Sequence, residues 1–514
     1  MNVNSALRAL REYLGQVEDL HASTSLLEWD QQTYMPPKGA EARGLQLATL
    51  SGLSHRIFTA RKLGALLARL HDVREQLDPD DAKLIDETLY DYERAKRLPE
   101  SFVKEFAEEQ SKAFHAWIKA RQQSDFGLFL PHLEKLVGLS RWRADLLGFE
   151  GLRYNALLED YERGARAEDL RGVLATLAAR QSEIVKCIAQ TPVRADLGWL
   201  NQQWDEAAQW AVSIQILHDM GYDLEAGRQD RSAHPFTTSF HLNDVRITTR
   251  THSDQLFSGL LSSLHEGGHA LYEQGFLAKD ARTTLAHGPS LGIHESQSRL
   301  WENIVGRSLP FWRHYLPLLR ERFPGQLETV AAEEVYEAVN QVKPSLIRVE
   351  ADECTYNLHV IIRFEIEVEL LEGNLVAGDV PSVWNEKMKS YLGVDVPDDA
   401  RGCLQDVHWS HGAFGYFPTY TLGNLYASQI FEAVLKDLPD LWQQVENGSF
   451  LPLRDWLREH VHRHGRRKTA ADLVREISGT PPGAGPYLRY LEAKYSSLYG
   501  FPAPIKRKAP ASPR

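Results

Sequence analysis

Apolar residues recur every three or four positions along most of the chain, with charged and polar residues between them. The pattern runs from Ser5 to about Leu152 and continues through segments 167–192 and 201–232. A repeat close to 3.6 residues is typical of amphipathic helices, so this part of the chain is expected to be almost entirely helical. The polar, glycine-containing end of segment 201–232 predicts turns.

The helical pattern is interrupted near residue 35. Met35-Pro36-Pro37 follows a helical segment, and the pattern restarts through Ala40 and Ala42. Proline has no backbone N–H, and its ring clashes with the preceding helical turn. We therefore expect a loop between two helices at this point.

Segment His234–Arg250 changes to a two-residue period. It is rich in threonine, and Val245, Ile247 and Thr249 alternate with other residues. Alternating β-branched residues are typical of strands, so the segment predicts two short strands joined near Asn243-Asp244. The edge of such a sheet could bind an extended peptide through backbone hydrogen bonds.

Helical spacing returns in the C-terminal half. Segment Val342–Asn374 alternates charged and large apolar residues and is predicted to form one long helix. We assign its acidic residues Glu350, Asp352 and Glu353 to solvated or ion-paired helix faces rather than to a metal site. Residues 503–514 are basic and rich in proline, which predicts a disordered tail.

An aromatic, glycine-rich stretch follows that segment. It contains His408, His411, Tyr416 and Tyr420, and a helix is expected to resume after Tyr420. A stretch of this kind is either a packed connector or a functional loop, and the pattern does not distinguish the two.

Together these elements predict a mainly α, large two-lobed fold. A length of 514 residues would allow three domains, but no obvious linker interrupts the helical pattern. We therefore expect a single domain over residues 1–502, with a helical part at about 1–230 and a second part at about 231–502. Such a chain is long enough to enclose a deep central groove.

Composition excludes several classes of partner. A net charge of −12 and a pI near 5.9 argue against nucleic acid. Cys187, Cys354 and Cys403 are odd in number and far apart, so neither a disulfide framework nor a thiolate metal cluster is expected. The N-terminus lacks the apolar core of a signal peptide, and no stretch of about 18 uncharged apolar residues is present. We expect a cytoplasmic protein that does not bind membranes.

The strongest chemical signal is "SSLHEGGHALYEQG", Ser262 to Gly275. Four-residue spacing places His265 and His269 on one helix face, where both imidazoles can reach one ion. Glu266 lies beside them, able to contact a water on the open side of that ion. The purely structural alternative is a buried helix in which the two histidines are hydrogen-bonded core residues.

Two further features favour the metal interpretation. Gly267 and Gly268 are adjacent in mid-helix, where each costs about 1 kcal/mol relative to alanine, so we expect a substrate or another backbone to approach closely there. Glu295 follows His269 by 26 residues and lies on the next predicted helix. Two histidines and one glutamate form a ligand set of catalytic zinc sites, with the fourth position left to water.

Several motifs beyond "HEGGH" resemble those of a known family. The chain contains "WDQQTYMPP", "HPF" at 234–236, "DVRIT" at 244–248, "HESQ" at 294–297, "IRVEAD" at 347–352, "GCLQDVHW" at 402–409 and "YTLGNLYASQ" at 420–429. In this order they resemble the signatures of the thermostable metallocarboxypeptidases, the Taq carboxypeptidase family. The similarity spans nearly the whole chain.

The resemblance implies a mostly helical fold with a long deep groove, a small β-sheet beside the metal, and a homodimer. It also implies removal of single C-terminal residues, with broad specificity, from peptides that have a free C-terminus. His265, His269 and Glu295 match the metal ligands, and Glu266 matches the catalytic carboxylate.

The same resemblance suggests residues that contact the substrate. Arg348 is expected to bind its terminal carboxylate, and Arg246 is another candidate for binding an anion. His408 and Tyr420 match positions near the scissile bond, and one or the other is expected to donate a hydrogen bond to the developing oxyanion. The purely structural alternatives are a salt bridge for Arg348 and core packing for His408 and Tyr420.

One position departs from related zinc peptidases. Those enzymes often have an aspartate four residues after the glutamate ligand, where it orients a histidine, but this chain has Arg299 there. The partner that orients the histidines must therefore come from elsewhere.

The predicted reaction uses one Zn²⁺ per chain, although Co²⁺ or Mn²⁺ also suits these ligands. Glu266 would take the proton of the attacking water and pass it to the departing amine. Two alternatives remain open: an oligopeptidase that cuts internal bonds, and a peptide-binding protein with a vestigial metal site. Glu266 argues against the latter, because a purely structural site needs no base.

Overall fold

Helices form most of the regular structure in the computed structural model, which describes residues 2–191 and 197–501. The α-helices are α1 (Val3–Thr33), α2 (Ala40–Phe58), α3 (Arg61–His71), α4 (Pro79–Arg97), α5 (Glu100–Gln123), α6 (Leu130–Leu147), α7 (Arg153–Leu158), α8 (Ala167–Ala189), α9 (Glu206–Met220), α10 (Leu256–Glu273), α11 (Leu291–Arg299), α12 (Leu309–Arg322), α13 (Ala332–Val339), α14 (Tyr356–Glu372), α15 (Val380–Leu392), α16 (Pro418–Asp437), α17 (Leu441–Glu446), α18 (Leu451–His460), α19 (Ala470–Ser478) and α20 (Gly485–Tyr499). A π-helical segment, Leu300–Val305, follows α11 directly.

The predicted break near residue 35 is confirmed. Helix α1 ends at Thr33 and α2 begins at Ala40, with Pro36 and Pro37 between them. Neither proline can donate a backbone hydrogen bond, so the first helix cannot continue through this point.

A small sheet lies among the helices. Its strands are β1 (Gly227–Arg231), β2 (Thr237–His241) and β3 (Asp244–Thr249), in the order β1-β3-β2. Strands β2 and β3 pair antiparallel, which confirms the predicted hairpin, and β1 pairs parallel with β3.

Strand β1 was predicted as a turn, and that prediction is wrong. Its sequence, "GRQDR", has no β-branched residue, so local preference gives no strand signal. Tertiary contacts stabilise it instead. Buried Gln229 donates to the Ser213 hydroxyl at 2.9 Å and accepts from the Ser263 hydroxyl at 2.8 Å.

The long helix predicted over Val342–Asn374 is shorter in the structure. Only Tyr356–Glu372 is α-helical, and the preceding residues are mostly irregular. The Asp352 carboxylate accepts hydrogen bonds from the backbone N–H groups of Cys354 and Thr355, which closes a turn before the helix. Glu353 pairs with Lys494 at 2.7 Å. Both acidic residues therefore have structural partners, but neither lies on an α-helix face as predicted, because the helix begins only at Tyr356.

The hydrophobic interior forms one large cluster and one smaller one. The large cluster includes α14 and α16, most of whose residues are buried. The smaller cluster joins α1, α3 and α4 through residues such as Leu10, Leu63 and Leu84. The mainly α fold with a small sheet beside α10 is confirmed, whereas the division into two lobes stays a prediction.

Two further sequence predictions concern membrane-spanning helices and the C-terminal tail. Among the described residues, no helix is long and apolar enough to cross a membrane. The predicted tail, residues 503–514, lies outside the residues that the structure describes.

Candidate functional site

Helix α10 carries the histidine pair. Leu256, Leu260 and Leu264 are buried along one side of the helix and hold it in the core. The His265 and His269 rings lie one turn apart with their centroids separated by 4.9 Å, and their side chains are 19% and 14% exposed. The pair therefore faces a partly open space rather than the interior of the core.

Helix α11 brings Glu295 to this pair. The Glu295 Oε2 atom is 3.9 Å from His265 Nε2 and 3.5 Å from His269 Nε2. Candidate ligand atoms of all three residues lie within 4.8 Å of one another. The structure thus places together the three residues predicted to hold the metal.

Close backbone packing makes this approach possible. A Cβ atom added at Gly268 would lie 2.6 Å from the backbone oxygen of Gln297 in α11. At Gly423 in α16, an added Cβ would lie 2.6 Å from the Glu295 Cβ. Glycine is therefore required where α10 and α16 pack against the helix that carries Glu295. The expected close approach near Gly268 is made by another backbone.

The protonation states of His269 and Glu295 suit a divalent metal ion. Burial lowers the pKa of the third residue, His265, but the Glu295 and Glu302 carboxylates outweigh this effect and raise it. Burial lowers the pKa of His269 to about 3, so its imidazole is neutral near pH 7. Burial disfavours the charged form of Glu295, but neighbouring Arg299 and His265 outweigh this effect and hold its pKa well below the usual range. Two imidazoles and one carboxylate are donors that Zn²⁺ accepts.

Neighbouring side chains orient both histidines. His265 Nδ1 lies 2.9 Å from Glu302 Oε2, which places the proton on Nδ1 and leaves Nε2 available. Glu302 stands in the π-helical segment seven residues after Glu295, and sequence reasoning missed it. A seven-residue helical spacing, two turns along the same face, is the signal that could have found it. On the other side, His269 contacts His294.

Arg299 occupies the position where related enzymes often have an aspartate. Its Nε donates to Glu295 Oε1 at 2.6 Å, and its Nη1 donates to Glu302 at 3.3 Å. It therefore compensates the charge of two carboxylates and fixes the orientation of the Glu295 side chain.

Glu266 lies beside the histidines and is 6% exposed. The Thr237 hydroxyl, from β2, lies 2.7 Å from Glu266 Oε2 and 3.0 Å from its backbone oxygen. Burial raises the pKa of Glu266 above its usual value, and a raised pKa suits a carboxylate that must accept a proton. The sheet thus contributes directly to the orientation of this residue.

Arg348 is buried in a cluster of charges. Its Nε and Nη2 donate to Asp406 Oδ1 at 3.1 and 2.8 Å, and its Nη1 donates to the Tyr356 hydroxyl at 2.8 Å. Arg363 donates to the other oxygen of Asp406 at 2.6 Å. Two guanidinium groups share one carboxylate, so these three side chains together carry one net positive charge.

Tyr356 connects this cluster to the metal-binding set. The Arg299 guanidinium lies 4.5 Å from the centroid of the Tyr356 ring, and Arg348 donates to the hydroxyl of the same ring. The Tyr420 ring is 6.2 Å from Tyr356 and 4.9 Å from the Arg348 guanidinium. The predicted carboxylate anchor and the predicted ligands therefore belong to adjoining parts of one site.

His408 and Tyr420 are neighbours in this region. His408 Nε2 lies 3.3 Å from the Tyr420 hydroxyl. Burial lowers the pKa of His408 to about 3 and raises the pKa of Tyr420 well above its usual value. Near pH 7 both groups are uncharged, and each carries a proton for hydrogen bonding.

Glu367 fixes the loop on which His408 stands. Its carboxylate accepts from Trp409 Nε1 at 2.8 Å, from the Gly415 backbone N–H at 3.1 Å and from the Tyr154 hydroxyl at 2.8 Å. This loop is therefore held at two points by a fully buried side chain of α14. Sequence reasoning missed this role, because nothing in the local pattern relates Glu367 to residues about 40 positions away.

Arg246 lies on β3, apart from the Arg348 cluster. It donates to Asp244 at 2.8 and 2.9 Å, and its guanidinium lies 4.6 Å from the Trp29 ring centroid and 4.9 Å from that of Phe240. Its donors are thus largely engaged by one carboxylate and two aromatic faces.

A cavity of about 380 Å³ borders the site. Its lining includes Ser290 and His294, next to the predicted ligands, and Tyr161, whose ring lies 5.2 Å from that of Tyr416. Charged residues of the wall are paired with one another, as in the 2.6 Å contact between Arg94 and Asp160. The cavity offers room for a peptide side chain without presenting a single dominant charge.

Comparisons with known proteins point to one family. A model of the family described as "Carboxypeptidase Taq (M32) metallopeptidase" matches residues 9–495. Thermostable carboxypeptidase 1 of Thermus thermophilus is 42% identical, over 97% of this chain and 100% of that protein. Carboxypeptidase 1 of Bacillus subtilis is 36% identical, also over 97% and 100%. The crystal structure of an M32 carboxypeptidase from Deinococcus radiodurans R1 gives a TM-score of 0.94 at 41% identity, covering 97% of this chain and 100% of that one.

Proposed function

This chain belongs to the carboxypeptidase Taq (M32) metallopeptidase family and is a metallocarboxypeptidase, and we propose that it removes single C-terminal residues with one zinc ion per chain and Glu266 as the base. The observation that carries the proposal is the convergence of His265, His269 and Glu295, whose candidate ligand atoms lie within 4.8 Å of one another, with Glu266 beside them.

His265 and His269 would hold the zinc through Nε2, and Glu295 through a carboxylate oxygen. When bound, zinc supplies Lewis-acid chemistry, which polarises the scissile carbonyl and lowers the pKa of water to about 7. Cobalt or manganese is compatible with the same donors. The neutral state of His269 and the ionised state of Glu295 support this assignment.

Glu266 moves the proton in this proposal. Its carboxylate takes a proton from the attacking water and then delivers it to the nitrogen of the departing amino acid. The Thr237 hydroxyl, 2.7 Å from Oε2, holds the carboxylate in one orientation. Burial of Glu266 strengthens its affinity for the proton, which supports a role as base.

Arg348 binds the terminal carboxylate of the substrate in this account. The net positive charge that it shares with Arg363 and Asp406 attracts an anion, and a guanidinium fits a carboxylate through two parallel hydrogen bonds. Arg246 is the second candidate anchor. Arg348 is the better choice because it adjoins the proposed metal ligands through Tyr356 and Arg299, whereas Arg246 lies on β3 against Trp29 and Phe240.

His408 and Tyr420 stabilise the developing oxyanion. Both are uncharged donors near pH 7, and Glu367 holds the loop that carries His408. Loss of a single oxyanion donor costs about 10²- to 10³-fold in kcat in another hydrolase, so either residue is worth testing.

The cavity next to the site supports broad specificity. Its charged wall residues are paired internally, as Arg466 is with Asp91 at 2.7 Å, so neither an acidic nor a basic side chain is strongly selected. Peptides with a free C-terminus are the proposed substrates.

We also propose a homodimer in the cytoplasm. Leu26 on α1, Tyr34 just after α1 and Leu45 on α2 are 41%, 61% and 68% exposed, and a second copy would cover such apolar surface. The free cysteines Cys187, Cys354 and Cys403 suit a reducing compartment.

A peptide-library digest read by mass spectrometry tests the proposed reaction. We expect successive loss of single C-terminal residues of many kinds, loss of activity in a chelator and its return with zinc. Amidated peptides of the same sequence should be cut much more slowly. Internal cleavage of amidated peptides at an undiminished rate would favour an endo-acting oligopeptidase, and zinc-independent turnover would contradict the metal assignment.

A further inference from the structure

A third histidine, His294, lies between the predicted ligand His269 and a carboxylate. His294 Nδ1 is 2.6 Å from His269 Nδ1, and His294 Nε2 is 2.9 Å from Glu273 Oε1. The rings of the two histidines are 4.5 Å apart. Their side chains and that of Glu273 are 14 to 24% exposed, so surrounding protein restricts all three.

The positions of the protons in this chain follow from simple hydrogen-bond rules. A neutral histidine that coordinates a metal through Nε2 carries its proton on Nδ1, so His269 Nδ1 is a donor and its neighbour must accept. His294 can accept at Nδ1 only if its own proton is on Nε2. Glu273, an acceptor, faces that Nε2 and selects this form.

We propose that His294, held by Glu273, is a positioning residue that fixes the tautomer and ring orientation of His269 for metal binding. The proposal deepens the function above and rests on the assignment of His269 as a ligand. His265 meets the same requirement through the carboxylate of Glu302, at 2.9 Å. The two ligands on α10 are therefore oriented by different devices, one through a carboxylate and one through an intervening imidazole.

The elements that carry these residues support this role. Glu273 is the last residue of α10, one turn after His269, and His294 immediately precedes Glu295 on α11. The link therefore joins the same two helices that supply the ligands. The Tyr272 ring packs edge-on at 5.3 Å from His294 and limits its rotation.

The contacts argue against two other roles for His294. Both of its ring nitrogens already face partners, Nδ1 toward His269 and Nε2 toward Glu273, so neither is directed to a metal or to a substrate proton. A positioning role is the one that uses both contacts at once.

Two nearly isosteric replacements of His294 isolate its acceptor. In His294→Asn the amide oxygen takes the place of Nδ1 and can still accept from His269, whereas His294→Leu has a methyl group there. Both variants lose the contact with Glu273. Competition with a chromophoric chelator measures zinc affinity. We expect the affinity to fall by about 10- to 100-fold in His294→Leu. In His294→Asn it should stay within about threefold of the value for the unaltered protein.

A second pair tests the carboxylate end. Glu273→Gln keeps an acceptor for His294 Nε2–H, and Glu273→Met removes it at similar volume, so only the Met variant should lose zinc affinity, by about tenfold. His132→Leu serves as control, because His132 on α6 pairs with a carboxylate in the same way but contacts Glu109 on α5 at 2.7 Å rather than any residue of this link. Its zinc affinity should be unchanged.

Equal zinc affinities in the His294→Asn and His294→Leu proteins, whether both lowered or both unchanged, would overturn the proposal, because the acceptor would then have no effect. If His294→Leu fails to fold, as judged by circular dichroism, the Glu273 pair decides the question by the same criterion. Failure of the underlying function looks different: the unaltered protein would bind no stoichiometric zinc, or His269→Ala would bind it normally.

Discussion

At the scale of single residues, the charge of each site group is determined by its nearest neighbours. Glu295 is ionised because Arg299 and two histidines surround it, and His269 is neutral because it is buried beside another histidine. Glu266 lacks a cationic hydrogen-bond partner and instead contacts the Thr237 hydroxyl. One carboxylate therefore suits ligation and the other suits proton transfer, although both stand in the same small space.

Replacement of Arg348 tests the carboxylate anchor. Arg348→Lys keeps the charge but loses the two parallel hydrogen bonds, so kcat/KM on a peptide with a free C-terminus should fall by about 10- to 100-fold, mainly through KM. The amidated form of that peptide should be affected much less. Arg246→Lys is the matched control and should change both rates by less than about threefold.

Steady-state kinetics on the free and amidated peptides measures this preference. If Arg348→Lys slows both peptides equally, Arg348 acts through the structure of its cluster with Asp406 rather than through the substrate carboxylate. A loss of preference in Arg246→Lys alone would transfer the anchor to the sheet.

The sequence was sufficient to locate the residues with distinctive spacing. His265, Glu266 and His269 form a local motif, and Glu295 follows on the next helix, so all four could be named before the structure. The sequence did not show which residues orient the two histidines, namely Glu302, His294 and Glu273. Their roles depend on which ring nitrogen faces which oxygen, and that depends on how α10 packs against α11.

At the scale of elements, the contact between α10 and α11 determines the geometry of the proposed ligands His265, His269 and Glu295. Gly268 allows the two backbones to approach, and Gly423 allows α16 to pack on Glu295. Both glycines lie in helices, where each costs about 1 kcal/mol relative to alanine. The protein thus accepts a local cost at positions where a side chain would push the proposed ligands apart.

Gly268→Ala tests this packing. The added Cβ would lie 2.6 Å from the Gln297 backbone oxygen and 2.7 Å from the Ser298 Cα, and backbone atoms cannot rotate away. We expect a loss of about 1–3 kcal/mol in the free energy of unfolding, together with zinc affinity that is weaker by about tenfold.

Gly172→Ala is the matched control for this substitution. It also lies in a helix, α8, but nothing stands within 4 Å of its added Cβ. It should stabilise the protein by about 0.5–1 kcal/mol and leave zinc binding unchanged. Similar behaviour of the two variants in urea unfolding and zinc titration would mean that the α10–α11 contact does not limit the site.

Helix α14 organises the loop that carries His408. Arg363 and Glu367 are one turn apart on this helix, and both are fully buried. Arg363 bonds to Asp406, and Glu367 bonds to Trp409 and to the backbone of Gly415. One helix face thus holds the loop at three points.

Glu367 should make stability depend on pH. Burial raises its pKa from 4.5 to about 7, so between these values the folded protein keeps a proton that the unfolded chain has lost. The resulting stabilisation is fully present below pH 4.5 and is lost as pH rises through 7. Its size is about 3 kcal/mol.

Glu367→Gln tests the sign of this effect, because glutamine does not titrate. The free energy of unfolding of Glu367→Gln, relative to that of the unaltered protein, should rise by about 3 kcal/mol between pH 4.5 and pH 8. Urea unfolding in one zinc buffer measures this difference, and the pH dependence of metal binding largely cancels because the ligands are the same. Parallel curves for the two proteins would show that Glu367 does not titrate in this range.

Most helices and strands were predictable where the local sequence pattern determines the secondary structure. The break at Met35-Pro36-Pro37 and the β2–β3 hairpin follow from proline chemistry and from alternating β-branched residues. Strand β1 and the late start of α14 were missed. The first is stabilised by side-chain contacts with other elements, and the second is set by the Asp352 carboxylate, which competes with the helix for backbone N–H groups.

At the scale of the whole molecule, the two hydrophobic clusters differ in their relation to the site. The large cluster includes α10, α14 and α16, which carry or support the site, whereas the smaller one joins α1, α3 and α4. The mainly α fold was predictable from periodicity. The joining of helices from distant parts of the chain was not, because residues such as Trp117 and Leu404 meet across 287 positions.

The proposed homodimer has a simple test. The chain has a mass of 58.4 kDa, so light scattering coupled to size-exclusion chromatography should give twice that value. A mass of one chain at micromolar concentration would exclude a stable dimer. The exposed Leu45 and Tyr34 side chains would then need another explanation.

The central claim is that the whole fold serves to place one base, Glu266, beside a metal held by His265, His269 and Glu295. The most direct test is the turnover of zinc-loaded Glu266→Gln on a peptide with a free C-terminus. Glutamine has nearly the same shape but does not accept the proton, so we predict one bound zinc per chain and a kcat lower by about 10²- to 10⁴-fold. Turnover comparable to that of the unaltered enzyme, at full zinc occupancy, would contradict the account.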